Sequence, residues 1–511
     1  MRRAKALSRM WWLGVIAAAA VVLWPLTRPG FFISDDGEWM IIRLSAFWQA
    51  LREGQFPVRF LGRLNHEFGY PVANFLYPGF LYLGSFIHAL GFSFSDSVKL
   101  IFAGSVVGAG VFLFWGLLAE LGSFPSFMGA LSLLLAPYLA FDLYKRGSVG
   151  EILALAVATF GMANLWHKRR ILFPLVVGLL LVSHNSLALL FLALFIGYIL
   201  YAHLGQFWWP LVLGLGLATF FWLPALFERR YVLFDTVTVS RPEQYFVSGN
   251  SLYLLGTVNI LVWFLIWFKR RTIKQPDLWF FLVASVVSSF LATPLSQSIW
   301  SLPSFAKLFQ FPYRLLAIAL ISNAWLTGVL FENLSSHLRP KLLVIFLVLW
   351  LVPLLPMLNQ VKTVLRPEGY YTTNEATTTV ADEYLPRWVT DQPRQRRPAR
   401  IELIKGKGSF KVEKINTQKI DVEVEAETES IVQINKIYYP GWGVLINGQP
   451  GEIDYAAGGG LMQVAVPAGK HRLQAEFRET PLRLAADLVT LASFLVWLRF
   501  FLRDLKGYKI S

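Results

Sequence analysis

The stretch WWLGVIAAAAVVLWPL (residues 11–26), with Arg2, Arg3, Lys5 and Arg9 before it and Ser34-Asp35-Asp36-Gly37-Glu38 after it, decides how the chain is read. An uncharged apolar run of this length is a helix that seeks a bilayer. Its flanks orient it, because cations gather on the cytoplasmic side of a membrane helix. The run imitates a secretory leader, but it lacks a small-residue cleavage site and further runs follow, so a retained first helix is expected.

Working outward, comparable runs begin near Ser97, Ser126, Gly150, Ile171, Ser186, Gln206, Ser251, Asp277, Tyr313, Lys341 and Leu482. Mean hydropathy is +0.50 over 511 residues, and 55% hydrophobic residues stand against 15% charged ones. A water-soluble fold of this size has no interior for so much apolar side chain, because surface grows too fast with size. The formal charge of +15 does not call for nucleic acid, since the Lys and Arg residues cluster at the ends of apolar runs. Cysteine is absent, which excludes disulfides, thiolate catalysis and Cys-ligated zinc.

The run Ala73–Phe92 decides the topology. Counted as a span, it would put His167–Arg170 and Lys269–Lys274 on the side of Asp35. Left out, it places those clusters with Arg2–Arg9, Arg339–Lys341 and Arg503–Lys509. The positive-inside rule then gives about 12 spans with both termini cytoplasmic in a plasma membrane. The Ala73 run becomes a re-entrant or interfacial helix, which Pro78 and Gly79 tolerate. Residues 1–359 are expected to form the transmembrane domain, with a large first extracytoplasmic loop at 31–96. Within that loop Ile41, Leu44, Trp48 and Leu51 share one helical face, and Ser45, Gln49 and Arg52 the other, as in an amphipathic helix lying in the interface.

After Asn359 the pattern changes from continuous to alternating, as in Ile420-Asp-Val-Glu-Val-Glu, with turn signals at Asn447-Gly448 and Pro467-Ala-Gly469. Residues 360–481 therefore read as a basic linker (Arg387–Arg400) and an extracytoplasmic β-sandwich domain, and 482–511 as a final span with a cytoplasmic tail. The expected fold class is an all-α polytopic membrane protein carrying a C-terminal β-sandwich.

The polar residues concentrate in the outward segments: Asp35, Asp36, Pro57-Val-Arg59, Arg63, Asn65-His66-Glu67, Gly69-Tyr70-Pro71 and Tyr77-Pro78 in the first loop. Farther on come Lys145-Arg146-Gly147-Ser148 with Glu151, Ser183-His184-Asn185, Gln310-Phe-Pro-Tyr-Arg314, Glu383-Tyr-Leu-Pro386, Tyr438-Tyr-Pro-Gly-Trp442 and Val466-Pro-Ala-Gly469. In order and sidedness these motifs resemble the GT-C superfamily of membrane glycosyltransferases. Specifically they are similar to the bacterial proteins grouped as YfhO-like or labelled "6-pyruvoyl-tetrahydropterin synthase-related", a label that implies no pterin chemistry. Many such proteins have His before the acidic residue where this chain has Asp35, so either Asp35 or Asp36 is the matching carboxylate.

The resemblance implies transfer of a sugar from a polyprenyl-phosphate donor to a cell-surface glycan, lipid or protein acceptor, with the membrane lipid as surroundings. Such a reaction needs a base for the acceptor hydroxyl and cations for the departing phosphate. Asp36 or Asp35 is the base candidate. Arg59, Arg63, Lys145, Arg146 and Arg314 are the phosphate candidates. The substrate-binding candidates are His66, Glu67, Tyr70, Tyr77, Glu151, His184, Asn185 and Gln310. Direct displacement would invert the anomeric carbon. A divalent metal is a candidate cofactor, held by His66, Glu67 and His184 with Asp36, although no spacing demands it.

Structural alternatives stand beside each reading. Asp35 with Glu38 is also a capping box, Arg59 and Arg63 are suited to lipid headgroups, and Arg146 with Glu151 to a plain ion pair. A lone His184 at a span end is often only structural, and Tyr77 and Tyr313 fit an interfacial belt. Two rival functions remain, a transporter or flippase of lipid-linked glycans and a non-catalytic envelope-assembly scaffold. A transporter is expected to place its ionisable residues within the spans.

Overall fold

A computed structural model describes residues 2–235, 241–379 and 381–507. Among them, six helices are long and apolar enough to cross a bilayer: Met10–Thr27, Phe94–Leu117, Val149–Trp166, Pro312–Glu332, Leu338–Asn359 and Pro481–Leu505. Four further pairs qualify only together, bent by 43° to 87° at a short break, which raises the number to ten. The breaks have local causes. Pro137 and Pro294 start the second members of two pairs, and Gly256 sits at φ +76 between Gly249–Leu255 and Thr257–Lys269. Each removes or redirects the hydrogen bond that would continue the helix.

The runs expected from Ile171 and Ser186 form the shorter helices Phe173–Ser183 and Asn185–Tyr201. The count reaches about 12 only if both of these also cross. The Ala73 run breaks into Val72–Phe75 and Gly79–Ala89. The longer piece measures about 16 Å along its axis against a hydrocarbon thickness of about 30 Å, too short to span.

Among the described residues, ten strands account for the β structure. β1 (Phe31–Phe32) pairs antiparallel with β2 (Thr363–Val364), joining the first loop to the chain just after the Leu338–Asn359 helix. Gly30, at φ +79, makes this possible: a Cβ there would lie 2.5 Å from the Val364 carbonyl oxygen. The others are β3 (Ile401–Lys405), β4 (Gly408–Ile415), β5 (Lys419–Ala426), β6 (Ser430–Ile437), β7 (Trp442–Ile446), β8 (Gln449–Gly451), β9 (Leu461–Val466) and β10 (Gly469–Phe477). They form two antiparallel sheets, ordered β4-β5-β10-β7-β8 and β3-β6-β9. Alternation decides which side is buried: in β5, Ile420, Val422, Val424 and Ala426 turn inward, while Glu423 and Glu425 stay exposed.

The amphipathic helix Gly37–Arg52 differs from expectation on its polar face. Ser45 is 1% and Arg43 5% exposed, because residues 371–378 lie over them. Ser45 Oγ donates to the Tyr371 carbonyl at 2.6 Å, and Arg43 Nε to Thr378 Oγ1 at 2.9 Å. Polar residues facing a polar stretch of chain and polar residues facing water produce the same periodicity.

Buried charges fasten the parts together. Arg483, at the start of the last helix, meets Glu228 at 2.9 and 2.8 Å. Glu228 also accepts from the Tyr439 hydroxyl at 2.9 Å and from Asn74 Nδ2 at 2.8 Å. Lys436 on β6 donates to the carbonyls of Gly62 and Glu67, and burial pushes its ammonium down to about 8. Removing one member of a buried pair strands the other, at a cost of about 3–5 kcal/mol. Arg483→Met is expected to lower the thermal midpoint followed by tryptophan fluorescence in detergent. The double variant Glu228→Gln/Arg483→Met should recover part of the loss; equal melting of Arg483→Met and the native chain would refute the role given to this pair.

Candidate active site

Two stretches 110 residues apart build the site. The Asp35 N–H donates to the Lys145 carbonyl and the Asp36 N–H to the Arg146 carbonyl, both at 2.9 Å. Their side chains then face each other. Lys145 Nζ lies 2.8 Å from Asp35 Oδ1, and Arg146 Nη2 lies 3.0 Å from Asp36 Oδ2. Arg146 also reaches Asp35 Oδ2 at 3.7 Å and Glu151 Oε1 at 4.0 Å. Lys145 and Arg146 end a π-helical turn, Phe141–Arg146, which Gly147 terminates at φ +65. Such wide turns inside helical segments are frequent at functional sites.

The capping alternative for the carboxylates is not what forms. Asp36 occupies the cap position of Gly37–Arg52 without a side-chain cap bond, and Ser34 Oγ accepts from the Gly37 N–H at 3.2 Å instead. Glu38 turns to the Tyr370 hydroxyl at 2.6 Å and to Arg366 at 3.9 Å; that hydrogen bond raises the Tyr370 phenol above its ordinary value. Asp36 thus keeps one oxygen on Arg146, and no described residue donates to the other.

Behind this pair lies an inner layer. Glu151 is fully buried in the first turn of Val149–Trp166, where the helix dipole favours its charge. Arg314 Nε meets Glu151 Oε1 at 2.9 Å, and Arg314 Nη1 donates to Gln310 Oε1 at 2.8 Å. Gln310 holds φ +62, a conformation that L residues rarely adopt, at the point where its carboxamide engages Arg314. Strain of this kind persists where the surroundings over-determine it. His184 sits between the two shorter helices. Its Nδ1 accepts the Leu187 N–H at 3.2 Å, so the neutral ring carries its proton on Nε2, 3.6 Å from Glu151 Oε1. Tyr77 packs against the same ring at a tilt of 39°, with centroids 4.7 Å apart. The rings of Phe311 and Tyr313 lie 5.0 and 5.6 Å from the Arg146 guanidinium, attracting it through their π faces.

Of the residues expected from the sequence, the structure gathers Asp35, Asp36, Lys145, Arg146, Glu151, His184, Gln310 and Arg314 into one contiguous cluster, with Tyr77 against it. Asn185 adjoins it, donating to the Phe75 carbonyl at 3.0 Å. It does not bring in the others. Arg59 is 2% exposed and bound to Glu479 at 3.1 Å, Asp487 at 3.0 Å and the Phe220 carbonyl at 2.6 Å. Arg63 is spent on Gln49, Ser45 and the carbonyls of Tyr371 and Thr372. Tyr70 bonds Thr378 at 2.7 Å. Glu67 is gripped by Arg396 at 3.1 Å and Arg400 at 2.5 Å. His66 and Glu67 belong to a left-handed turn, with φ +56 and +66. His66, Glu67, His184 and Asp36 do not converge on one point, and among the described residues no group of three or more acidic or His side chains is placed to hold a metal.

Sequence reasoning passed over Asp142, which is 4% exposed and lies four residues before Arg146 on the same turn. The helical Asp-x-x-x-Arg spacing was the available signal. Asp142 Oδ1, Glu151 Oε2 and the Tyr138 hydroxyl are buried polar atoms without a hydrogen-bond partner among the described residues, a concentration that proteins seldom tolerate without a purpose.

No protein-family model and no curated protein matches the chain. Among solved structures it is similar to the mycobacterial arabinofuranosyltransferase AftD, at 17% identity and TM-score 0.45 over 69% of this chain and 26% of that one. It is also similar to the oligosaccharyltransferase of Archaeoglobus fulgidus tethered to an acceptor peptide, at 13% identity and TM-score 0.39 over 74% and 60% of the two chains. The archaeal enzyme AglB with an inhibitory peptide and a dolichol-phosphate gives 13% identity and TM-score 0.37 over 72% and 56%. The chain thus spans about a quarter of the first protein and three-fifths or less of the others.

Gly147 tests the backbone pairing. A Cβ there would lie 2.2 Å from Ser34 Oγ and 3.0 Å from the Gly37 nitrogen. Gly147→Ala is expected to cost about 1–3 kcal/mol through the positive φ and the clash. It should also separate residues 34–37 from 145–147, seen as faster amide exchange at Asp35 and Asp36. Unchanged exchange at those two positions would contradict the pairing.

Proposed function

We propose that this chain is a membrane glycosyltransferase that moves a sugar from a polyprenyl-phosphate donor to an extracytoplasmic glycan, lipid or protein acceptor. The observation that carries the proposal is the half-sheltered Asp36 carboxylate, pinned by one oxygen to Arg146 and open at the other, beside a set of cations at the ends of two spans. The motif order that resembles GT-C proteins supports the same reading.

In this reaction Asp36 Oδ1 takes the proton of the acceptor hydroxyl. The acceptor oxygen then attacks the anomeric carbon as the bond to the carrier phosphate breaks. The electron pair leaves with the phosphate, and the configuration inverts. Lys145 is 66% exposed and tied by one ion pair to Asp35, so it is free to turn toward the phosphate. Arg146 spans both layers, and Arg314 fixes Glu151 behind it. Donors preorganised around a leaving group in a site of low dielectric are worth far more than in water. His184, with its proton on Nε2, and Gln310 line the inner wall. In this reading Arg59 and Arg63 are left out of donor binding, since both are buried and their terminal guanidinium nitrogens bond to neighbours of the first loop. No step is routed through a metal. The positive-inside pattern of the sequence supports a site on the outer face of a plasma membrane.

Turnover of a radiolabelled panel of polyprenyl-phosphate sugars in lipid nanodiscs tests this. Asp36→Asn is expected to lower turnover by about 10²- to 10⁴-fold, the range for loss of a general base. Asp35→Asn should cost less, because both oxygens of Asp35 face cations. Arg59→Lys should lower thermal stability while leaving the KM for the donor unchanged. Full activity in Asp36→Asn would overturn the assignment.

A further inference from the structure

A second aromatic assembly lies outside the site. Tyr438 and Tyr455 stack in parallel, with centroids 4.3 Å apart and planes 4° from each other. Trp388 packs against both, at 6.0 and 5.4 Å, and Tyr231 against Trp388 at 6.0 Å. The four residues come from four separate segments, and each stays half-buried. The Trp388 indole N–H donates to the Tyr438 carbonyl at 3.0 Å, which fixes the plane of its ring. No described residue bonds the hydroxyls of Tyr438 or Tyr455. Half-open rings with free phenol hydroxyls present an apolar face and a polar edge together, which suits the C–H faces and hydroxyls of a sugar ring. The patch is not a lipid-facing surface. It holds no exposed aliphatic side chain, and the exposed apolar residues of the β region, Ile404, Phe410 and Val412, lie on β3 and β4.

The position of the patch ties it to the site. Val232 bridges Pro386, and the Arg387 N–H donates to the Tyr231 carbonyl at 2.9 Å, so Tyr231 and Trp388 leave the same paired segments. The other ends of those segments carry Phe234 and Tyr384, which stack at 5.9 Å. Tyr384 in turn stacks on Phe75 at 5.9 Å, and the Phe75 carbonyl accepts from Asn185, beside His184. Phe75 and Tyr384 are buried, so a packed connection, not an open path, joins the segments of the patch to the edge of the Asp36 cluster.

We infer that Trp388, Tyr438 and Tyr455 form a platform that binds the acceptor as a neutral glycan chain, on segments that pack against the edge of the site. The inference rests on the transferase reading above and names its acceptor class: a polysaccharide or oligosaccharide, rather than a peptide or a lipid headgroup.

The test uses the full chain in nanodiscs and gluco-, manno- and galacto-oligosaccharides of four to six units as probes. Saturation-transfer NMR and quenching of tryptophan fluorescence report binding. At least one probe is expected to saturate the native protein. Tyr455→Ala and Trp388→Ala should each weaken it about five- to tenfold, as for loss of one aromatic face. Tyr455→Phe, which keeps the face, should bind within about twofold of the native protein. A thermal midpoint unchanged in Tyr455→Ala separates lost recognition from lost packing. Asp36→Asn should bind the probe as the native protein does, so a failed platform and a failed transferase give different results. Saturation by no probe, or equal affinity in Tyr455→Ala, overturns the inference.

Discussion

Glu228 and Arg483 place opposite full charges where almost no solvent reaches, and four separate parts of the chain meet there. Glu228 ends a bent pair of apolar helices, Arg483 begins the last one, Asn74 reaches in from the first loop and Tyr439 from the β region. A charge in such a place survives only with its partner and further hydrogen bonds around it. The geometry of all four parts is therefore constrained at one point. Arg59 repeats the device nearby, joining the first loop to Glu479 and Asp487.

That constraint is what lets a loop carry a site. Asp35 and Asp36 lie on a segment with almost no regular structure of its own, yet both ends are fixed. Residues 31–32 are paired with 363–364, and 35–36 with 145–146. The helix that follows is covered on its polar side, so it does not drift in the interface. Asp36 is consequently positioned by its backbone bond and by one ion pair to Arg146, leaving its second carboxylate oxygen available. Glu151 is the opposite case, a fully buried carboxylate whose Oε1 orients Arg314 and faces Arg146.

Much of the architecture was legible because it rests on local periodicity. Apolar runs announced the helices, and Ile420, Val422 and Val424 announced a strand with one buried face. Asn447 and Gly448, both at positive φ, form the turn that their dipeptide promised. What stayed hidden depends on partners far away in the chain. Nothing near Arg59 indicates whether its guanidinium awaits a phosphate or is already bound to Asp487. Ser45 and Gln49 read as water-facing because a polar partner 326 residues away, Tyr371, leaves the same pattern as solvent. The site was legible as a list of outward motifs. Which motifs share a centre was not, since Asp36 and Arg146 are brought together by a turn whose width the sequence does not announce.

The first loop has to wait for its partners. Arg59 and Asp487 are 428 residues apart, and at about 5–20 residues per second a ribosome needs roughly 20–90 s to make that interval. During that time Arg59 has left the ribosome without the carboxylates that will neutralise it, and Asn65-His66-Glu67 lacks the linker arginines that hold its left-handed turn. The first loop is therefore fastened late in biogenesis, and a chain cut short before the β region leaves that loop charged and unfastened although Asp36, Arg146 and Arg314 have already been made.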